Sequence, residues 1–397
     1  AGDTASDPEA AAREGIREET GFDPATEVTL VRSGDPFSVL DEDLGVRWQV
    51  HPFLYDCERR DVTSNEETTA WEWVPPTDIL RRETVPDLWT SYDRVRPTVE
   101  TVAEDREHGS AWLSYRALEV LRDEAALAAA AHPDGLTWAG LRDCAIDLVA
   151  ARPAMPVVRN RVDRAMATAW GDAAADEPGT PASLERAAEA GLVRAREADD
   201  AAAAVAAERV AGARVATLSR SGTVLAALRE GRPMGVLIAE SRPGREGVAT
   251  AESLSDAGVD VTLTSDAALA AELDRWAADG LLVGADAVLP DGAVVNKVGT
   301  RGAAIAAAHE GLEVLAVAAT DKVAADAPGS GGLDLEPGAM GALYDGDRQL
   351  AVTNPTFDVT PPGVVDAILT EEGPLAPDAI SEVAAAHRER ATWRTSP

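Results

Sequence analysis

In the second half of this sequence, polar side chains recur directly after short apolar runs. Ser219 and Arg220 follow Val215-Ala216-Thr217-Leu218, and Glu240, Ser241 and Arg242 follow Met234-Gly235-Val236-Leu237-Ile238. Asp266 closes the run Val259-Asp260-Val261-Thr262-Leu263, and Asp286 comes soon after Leu281-Leu282-Val283. A carboxylate among hydroxyl and guanidinium groups can handle a proton on a ligand that the cations hold. The turn signal Pro290-Asp291-Gly292 lies between two apolar runs and predicts a hairpin returning Asn296 and Lys297 beside Asp286. Gly299-Thr300 then opens a helix over residues 301–309, whose first N–H groups favour an anion. A phosphate site is the natural reading, and a purely structural hairpin capped by Thr300 is the alternative.

Two further clusters could do chemistry. Arg152, in Arg152-Pro153-Ala154-Met155-Pro156 with Arg159 and Asn160 behind it, suits a phosphate clamp; solvated arginines at a helix start fit equally well. Near the amino end a helix is expected from Ala10 to Thr20, entered through Asp7 and Pro8 and ended by Gly21. Glu14, Glu18 and Glu19 share one side of it and could hold a hard divalent cation, or form a solvated acidic face.

The elements that must position these groups follow from periodicity. Apolar strands separated by helical runs imply βαβ units and a parallel sheet. Ligands of such sheets bind outside the carboxyl ends of the strands, where Ser219, Glu240, Arg242, Asp266 and Asp286 are expected to gather. Before the sheet come Ala-rich helical runs over residues 113–131, 138–150, 157–169 and 184–211, broken by Gly/Pro clusters such as Asp176-Glu177-Pro178-Gly179. Three domains are expected: residues 1–105, a helical bundle over 106–211, and the sheet domain over 212–397.

The chain has 397 residues and a formal net charge of -33, with lysine only at Lys297 and Lys322. So acidic a surface suggests adaptation to high salt, which screens its self-repulsion. It argues against sequence-independent nucleic-acid binding, which needs basic patches. Cys57 and Cys144 give neither a disulfide framework nor a metal cluster, and Cys144 is expected as a small buried hydrophobe. His51, His108, His132, His309 and His387 show no metal-site spacing and are expected in solvent or core. No apolar run approaches the length of about 18 residues needed for a membrane span, and no signal peptide is visible, so a soluble cytoplasmic protein is expected. The chain opens on Ala1, so further sequence upstream is expected. The tail from Ser381 is expected to be a last helix that frays.

Arg17-Glu18-Glu19-Thr20-Gly21-Phe22 resembles the end of a Nudix box, and Trp71-Glu72-Trp73-Val74-Pro75-Pro76 resembles the strand and turn that follow in that fold. The resemblance implies a Nudix α/β/α fold over about residues 1–100, with Glu18 and Glu19 as magnesium ligands. Glu14-Gly15 stands where that family has Arg-Glu, and the box's glycine-rich start is missing or cut to Gly2-Asp3.

A second resemblance rests on Glu240-Ser241-Arg242-Pro243, Glu246-Gly247, Gly284-Ala285-Asp286, Asn296-Lys297-Val298-Gly299-Thr300, and Asn354-Pro355-Thr356-Phe357-Asp358 with Thr360-Pro361. From about Ser110 onward the chain is similar to the initiation factor 2B alpha/beta/delta-related family, which includes methylthioribose-1-phosphate and ribose-1,5-bisphosphate isomerases. The resemblance implies a helical domain joined to a Rossmann-like, doubly wound parallel sheet, assembled as a homodimer or higher oligomer, with no cofactor. It implies Asp286 as the catalytic aspartate, with Asn296 and Lys297 retained. The family's isomerases carry a cysteine in Thr-His-Cys after the first strand; this chain has Thr217-Leu218-Ser219. A protein that binds a phosphorylated sugar or nucleotide is therefore expected, regulatory or linked to translation initiation, with Asp286, Ser219, Arg242, Asn296, Lys297, Arg152 and Glu240 in its pocket. The alternatives are an aldose–ketose isomerase using Asp286 and Ser219, and a nucleoside-diphosphate hydrolase using Glu18 and Glu19.

Overall fold

The computed structural model describes residues 7–41, 45–57, 59–66, 68–171, 179–327, 335 and 337–395. Gly2, Asp3 and Asp176-Glu177-Pro178 lie outside the described residues. The chain divides into two compact units, residues 1–98 with 123–136, and residues 99–122 with 137–397. Most of the helical segment thus shares one unit with the sheet segment, while residues 123–136 belong to the other.

In the first unit, α1 (Pro8–Thr20) starts where the Asp7 carboxylate accepts the N–H groups of Glu9 and Ala10, and ends at Gly21 in the left-handed conformation. Strands β1 (Val28–Ser33) and β4 (Phe53–Cys57) pair antiparallel, as do β2 (Phe37–Asp41) and β3 (Val46–Val50). Residues 71–75 form no strand, contrary to expectation. There the Trp73 indole donates to the Arg60 carbonyl and stacks near Phe22, which fixes an irregular segment. A short 3-10 turn (Pro76–Leu80) and α2 (Leu88–Asp93) complete the unit.

The second unit opens with α3 (Val99–Glu104) and the first turns of α4 (Ser110–Ala129). It continues through α5 (Trp138–Ala151), α6 (Pro156–Gly171) and α7 (Pro181–Val210). Helix α7 buries a line of small residues, Ala187, Ala188, Ala195, Ala202, Ala203, Ala206 and Ala207. Alanine costs least in a helix and lets neighbours come close. The approach is closest at Gly231, the end of α8 (Gly222–Gly231): a Cβ there would lie 2.5 Å from the Ala207 carbonyl oxygen. Packing, rather than capping, demands that glycine; the left-handed cap itself is Arg232.

The sheet contains β5 (Arg214–Leu218), β6 (Gly235–Ala239), β7 (Val261–Thr264), β8 (Gly280–Gly284), β11 (Glu313–Val317), β13 (Ala367–Thr370) and β14 (Gly373–Leu375). Its order is β14-β13-β11-β8-β5-β6-β7, all parallel except β14. Counted in chain order, the six parallel strands run 3-2-1-4-5-6, an order that reverses between β5 and β8. Alternate strand residues serve opposite faces. Val215, Val236, Ile238 and Leu282 pack under α7, α8 and α9 (Glu246–Asp256). Ala216, Leu237, Leu281 and Val283 pack under α10 (Leu269–Arg275), α11 (Thr300–His309) and α12 (Pro377–Arg390). A small antiparallel sheet, β9 (Ala287–Val288), β10 (Val294–Lys297) and β12 (Phe357–Thr360), adjoins β8 in the chain.

Two expectations fail for reasons of packing. The carboxyl tail does not fray: Trp393 is 2% exposed, and its indole and the Arg394 guanidinium both bind the buried Asp163 carboxylate. Cys144 is half-buried, on a stretch of α5 where Ile146 also meets solvent.

His387 belongs to the core. Its Nε2 lies 3.1 Å from the Thr320 carbonyl and its Nδ1 receives Arg390 Nη1 at 3.2 Å. Since a guanidinium only donates, the ring is neutral with its proton on Nε2. Burial is the main cause that brings its pKa down to about 4. The unfolded chain therefore takes up a proton below pH 6.5 while the folded chain does not until about pH 4. The contribution is fully present above pH 6.5 and is lost as pH falls toward 4, by up to about 3 kcal/mol. Urea titrations from pH 7 to 4 should show a loss of stability in the native chain that is smaller by this amount in His387→Gln; equal slopes would contradict the assignment.

Candidate functional site

A cavity of about 410 Å³ opens at the carboxyl ends of β5 and β6 and beside β10, within the second unit. That volume suits a small ligand. Ser219 and Arg220 come from the end of β5, Arg242 to Gly244 from the loop after β6, and Asp286 from the end of β8. Residues Asn296 to Val298 and Asn354 to Phe357 form one wall, and Arg152 with residues 106–109 reach in from the helical segment. Five of the cavity's side chains are cationic, Arg106, Arg152, Arg220, Arg242 and Lys297, against three carboxylates, Glu107, Glu246 and Asp286. In a chain of net charge -33, this local surplus of cations gives the cavity a potential that favours anions.

The predicted hairpin forms. Val295 pairs with Ala287, Val294 with Val288, and the Asp286 N–H donates to the Val295 carbonyl at 2.8 Å. Asp286, Asn296 and Lys297 thereby share the cavity with Ser219, Arg242 and Arg152. Ser219 and Ser241 both sit at φ 63, a strained conformation for residues other than glycine, and one that recurs at functional turns. Gly247 explains the closeness of α9 to β6, because a Cβ there would lie 1.9 Å from the Ala239 carbonyl oxygen. Beneath the site the Lys322 ammonium is buried and donates to the Ala285 carbonyl at 2.7 Å, one residue before Asp286.

Three expected participants stand elsewhere. Glu240 does not line the cavity; its carboxylate pairs with the guanidinium groups of Arg242 at 3.3 Å and Arg245 at 3.7 Å. Asp266 accepts the N–H groups of Ser241 at 2.7 Å and Arg242 at 2.6 Å, so it shapes the loop that carries Arg242. The amino end of α11 already holds an anion: Asp358 accepts from Gly299 N–H at 2.8 Å and Arg301 N–H at 3.1 Å. Burial pushes the Asp358 carboxyl up, against the pull of those N–H groups.

Glu18 and Glu19 are exposed on α1, while Glu14 pairs with Arg17. Among the described residues no group of three or more His, Cys, Asp or Glu side chains could hold a metal ion. Glu14, Glu18 and Glu19 do not make a gathered donor set for magnesium among the described residues.

Sequence reasoning missed two residues. Glu246 binds the Lys297 ammonium at 2.7 Å, and its second oxygen is buried without a hydrogen-bond partner among the described residues. His108 lines the cavity with its Nδ1 2.8 Å from the Asp105 carboxylate and its ring stacked on Trp112 at 3.8 Å. Burial alone would raise the Asp105 carboxyl, but the His108 ring and the N–H groups of His108 and Glu107 outweigh it and bring it down to about 2. The available signal was Asp105 three residues before His108, a spacing at which an Asp side chain can anchor a following turn. Carbonyl groups of this loop accept from Arg152 and Arg220, which tie it to both walls.

The model of the Initiation factor 2 subunit family matches residues 106–377, and the NUDIX domain model matches residues 3–95. A ribose 1,5-bisphosphate isomerase of Haloferax volcanii is 39% identical over 162 residues, 40% of this chain and 50% of that protein. A methylthioribose-1-phosphate isomerase of Xylella fastidiosa is 34% identical over 167 residues, 40% of this chain and 47% of that protein. The chain thus spans about half the length of the curated relatives it matches. The crystal structure of a Pyrococcus horikoshii OT3 translation initiation factor eIF-2B superimposes with a TM-score of 0.57 at 27% identity, over 70% of this chain and 95% of that one. Among the described residues no helix is long and apolar enough to cross a membrane.

Lys297 faces Glu246 before any ligand arrives, so the carboxylate competes with an anion for the ammonium. Glu246→Gln should tighten binding of inorganic phosphate about fivefold by calorimetry, an effect that shrinks as salt rises. Unchanged or weaker binding would show that Glu246 orients Lys297 instead of competing for it.

Proposed function

Because the chain belongs to the Initiation factor 2 subunit family, we propose that its cavity binds a phosphorylated pentose and interconverts the aldose and ketose forms. This reading reverses the order expected from the sequence, where ligand binding alone stood first. One observation carries it: Asp286 and an oriented imidazole, His108, share a cavity with a surplus of cations. The similarity to proteins named as sugar-phosphate isomerases supports it.

For ribose 1,5-bisphosphate the overall change is small. The hydrogen on C2 moves to C1, the proton of the C2 hydroxyl moves to the ring oxygen, and the bond from C1 to that oxygen opens. Two groups that exchange protons suffice, and Asp286 and His108 fill those places. Lys297, Arg242 and Arg152 hold the phosphates, since guanidinium groups match their oxygens bidentately. Asn296 and the Ser219 hydroxyl bind the sugar. Asp105 keeps the His108 proton on a defined nitrogen and steadies the ring when it is charged. Pairing of chains through the sheet unit is part of the same proposal, and sedimentation checks it.

Ser219 favours a second reading. A hydroxyl does not ionise near neutral pH as a thiol can, so a chain without the expected cysteine could bind the phosphosugar and not turn it over.

Assays with ribose 1,5-bisphosphate and methylthioribose 1-phosphate in high salt separate the two. Turnover is expected, reduced about 100-fold or more by Asp286→Asn. His108→Asn should lower kcat more than it raises KM. Calorimetric binding without turnover in a folded sample would select the second reading, and neither binding nor turnover would sink both.

A further inference from the structure

A second, smaller cavity of about 50 Å³ lies between α6 and α7, lined by Arg161, Arg164, Thr168, Arg194 and Asp321 together with small residues. It is separate in position from the larger cavity, with which it shares no lining residue. Its charges do not balance. Arg161 is fully engaged: Nε binds Asp321 at 3.1 Å, Nη1 binds the Ser114 hydroxyl at 2.7 Å, and Nη2 binds Asp199 at 3.0 Å. Arg164 gives one Nη2 bond to the other Asp321 oxygen, and its Nε is buried with no hydrogen-bond partner among the described residues. Both Asp321 oxygens are thus occupied by arginines. Arg194 is exposed on α7 and adds a third guanidinium at the cavity, and the charges of Arg390, Arg194 and Arg161 all press on Arg164. Glu371, the other carboxylate near Asp321, is bound to the N–H and hydroxyl of Thr320 and does not line the cavity.

We propose that this cavity is a binding site for a tetrahedral oxyanion, taken up by the Arg164 and Arg194 guanidinium groups and the Thr168 hydroxyl. Several guanidinium groups around two carboxylates repel one another, and an anion offsets that repulsion. The space exceeds the ~10–15 Å³ that one water requires, and it excludes a sugar or a base, so the occupant is free inorganic phosphate or the terminal phosphoryl group of a larger molecule. This inference is independent of the reading given to the larger cavity.

Equilibrium dialysis of the full chain with labelled inorganic phosphate tests it. Arg194→Ala, at an exposed position, should weaken one phosphate per chain about tenfold or more, while Lys297→Met leaves that phosphate in place. Thr168→Val should weaken the same phosphate. Competition by ribose 5-phosphate at this phosphate would assign the site to a phosphoryl terminus, and its absence would assign it to the free ion. If Arg194→Ala and Thr168→Val, both folded by circular dichroism, bind phosphate as the native chain does, the site does not exist.

Discussion

The reversal of strand order between β5 and β8 is the constraint on which the rest of the structure depends. Strands on either side of a reversal send their connections to opposite faces, so no crossover covers the crevice at their carboxyl ends. Ser219 and Asp286 emerge from the two strands that flank it, and Arg242 from the next strand out. The core enforces this arrangement through its volume. Alternate residues of each strand are buried under different helices, and glycine at positions 231 and 247 lets α8 and α9 come close enough to seal the face that they share with α7.

Several carboxylates of this acidic chain have fixed partners outside the cavity. Asp266 and Asp358 spend their charge on backbone N–H groups, Asp321 and Asp163 on arginines, and Glu240 on the arginines beside it. What remains at the cavity is a surplus of guanidinium and ammonium groups. Both lysines of the chain serve this region, Lys297 in the wall and Lys322 under the Asp286 backbone. Buried ion pairs of this kind are costly to break singly, because the abandoned partner stays buried.

Much of this was legible in the sequence. Helices α4 to α7 fall close to the Ala-rich runs, and the strands fall at the apolar runs, because periodicity and Gly/Pro punctuation are local properties. The hairpin that returns Asn296 and Lys297 was written in Pro290-Asp291-Gly292. Positions set by distant partners were not. Glu240 and Glu246 are equally acidic in the sequence, yet one pairs with Arg242 and Arg245 outside the cavity and the other faces Lys297 within it. The Trp71–Pro75 segment lost its expected strand to a side-chain bond from Trp73, and the tail gained order from Asp163, far away along the chain.

The sequence by itself determined which residue types could hold a phosphate, the parallel sheet that would carry them, and the missing thiol at Ser219. Only the tertiary structure decided which charges are free to act, because an ionisable side chain takes its role from what lies within a few ångströms of it. Asp105 orients His108, which was expected only in solvent or core, Asp358 fills the helix end expected to be open to a ligand, and Arg164 Nε is buried with no partner among the described residues.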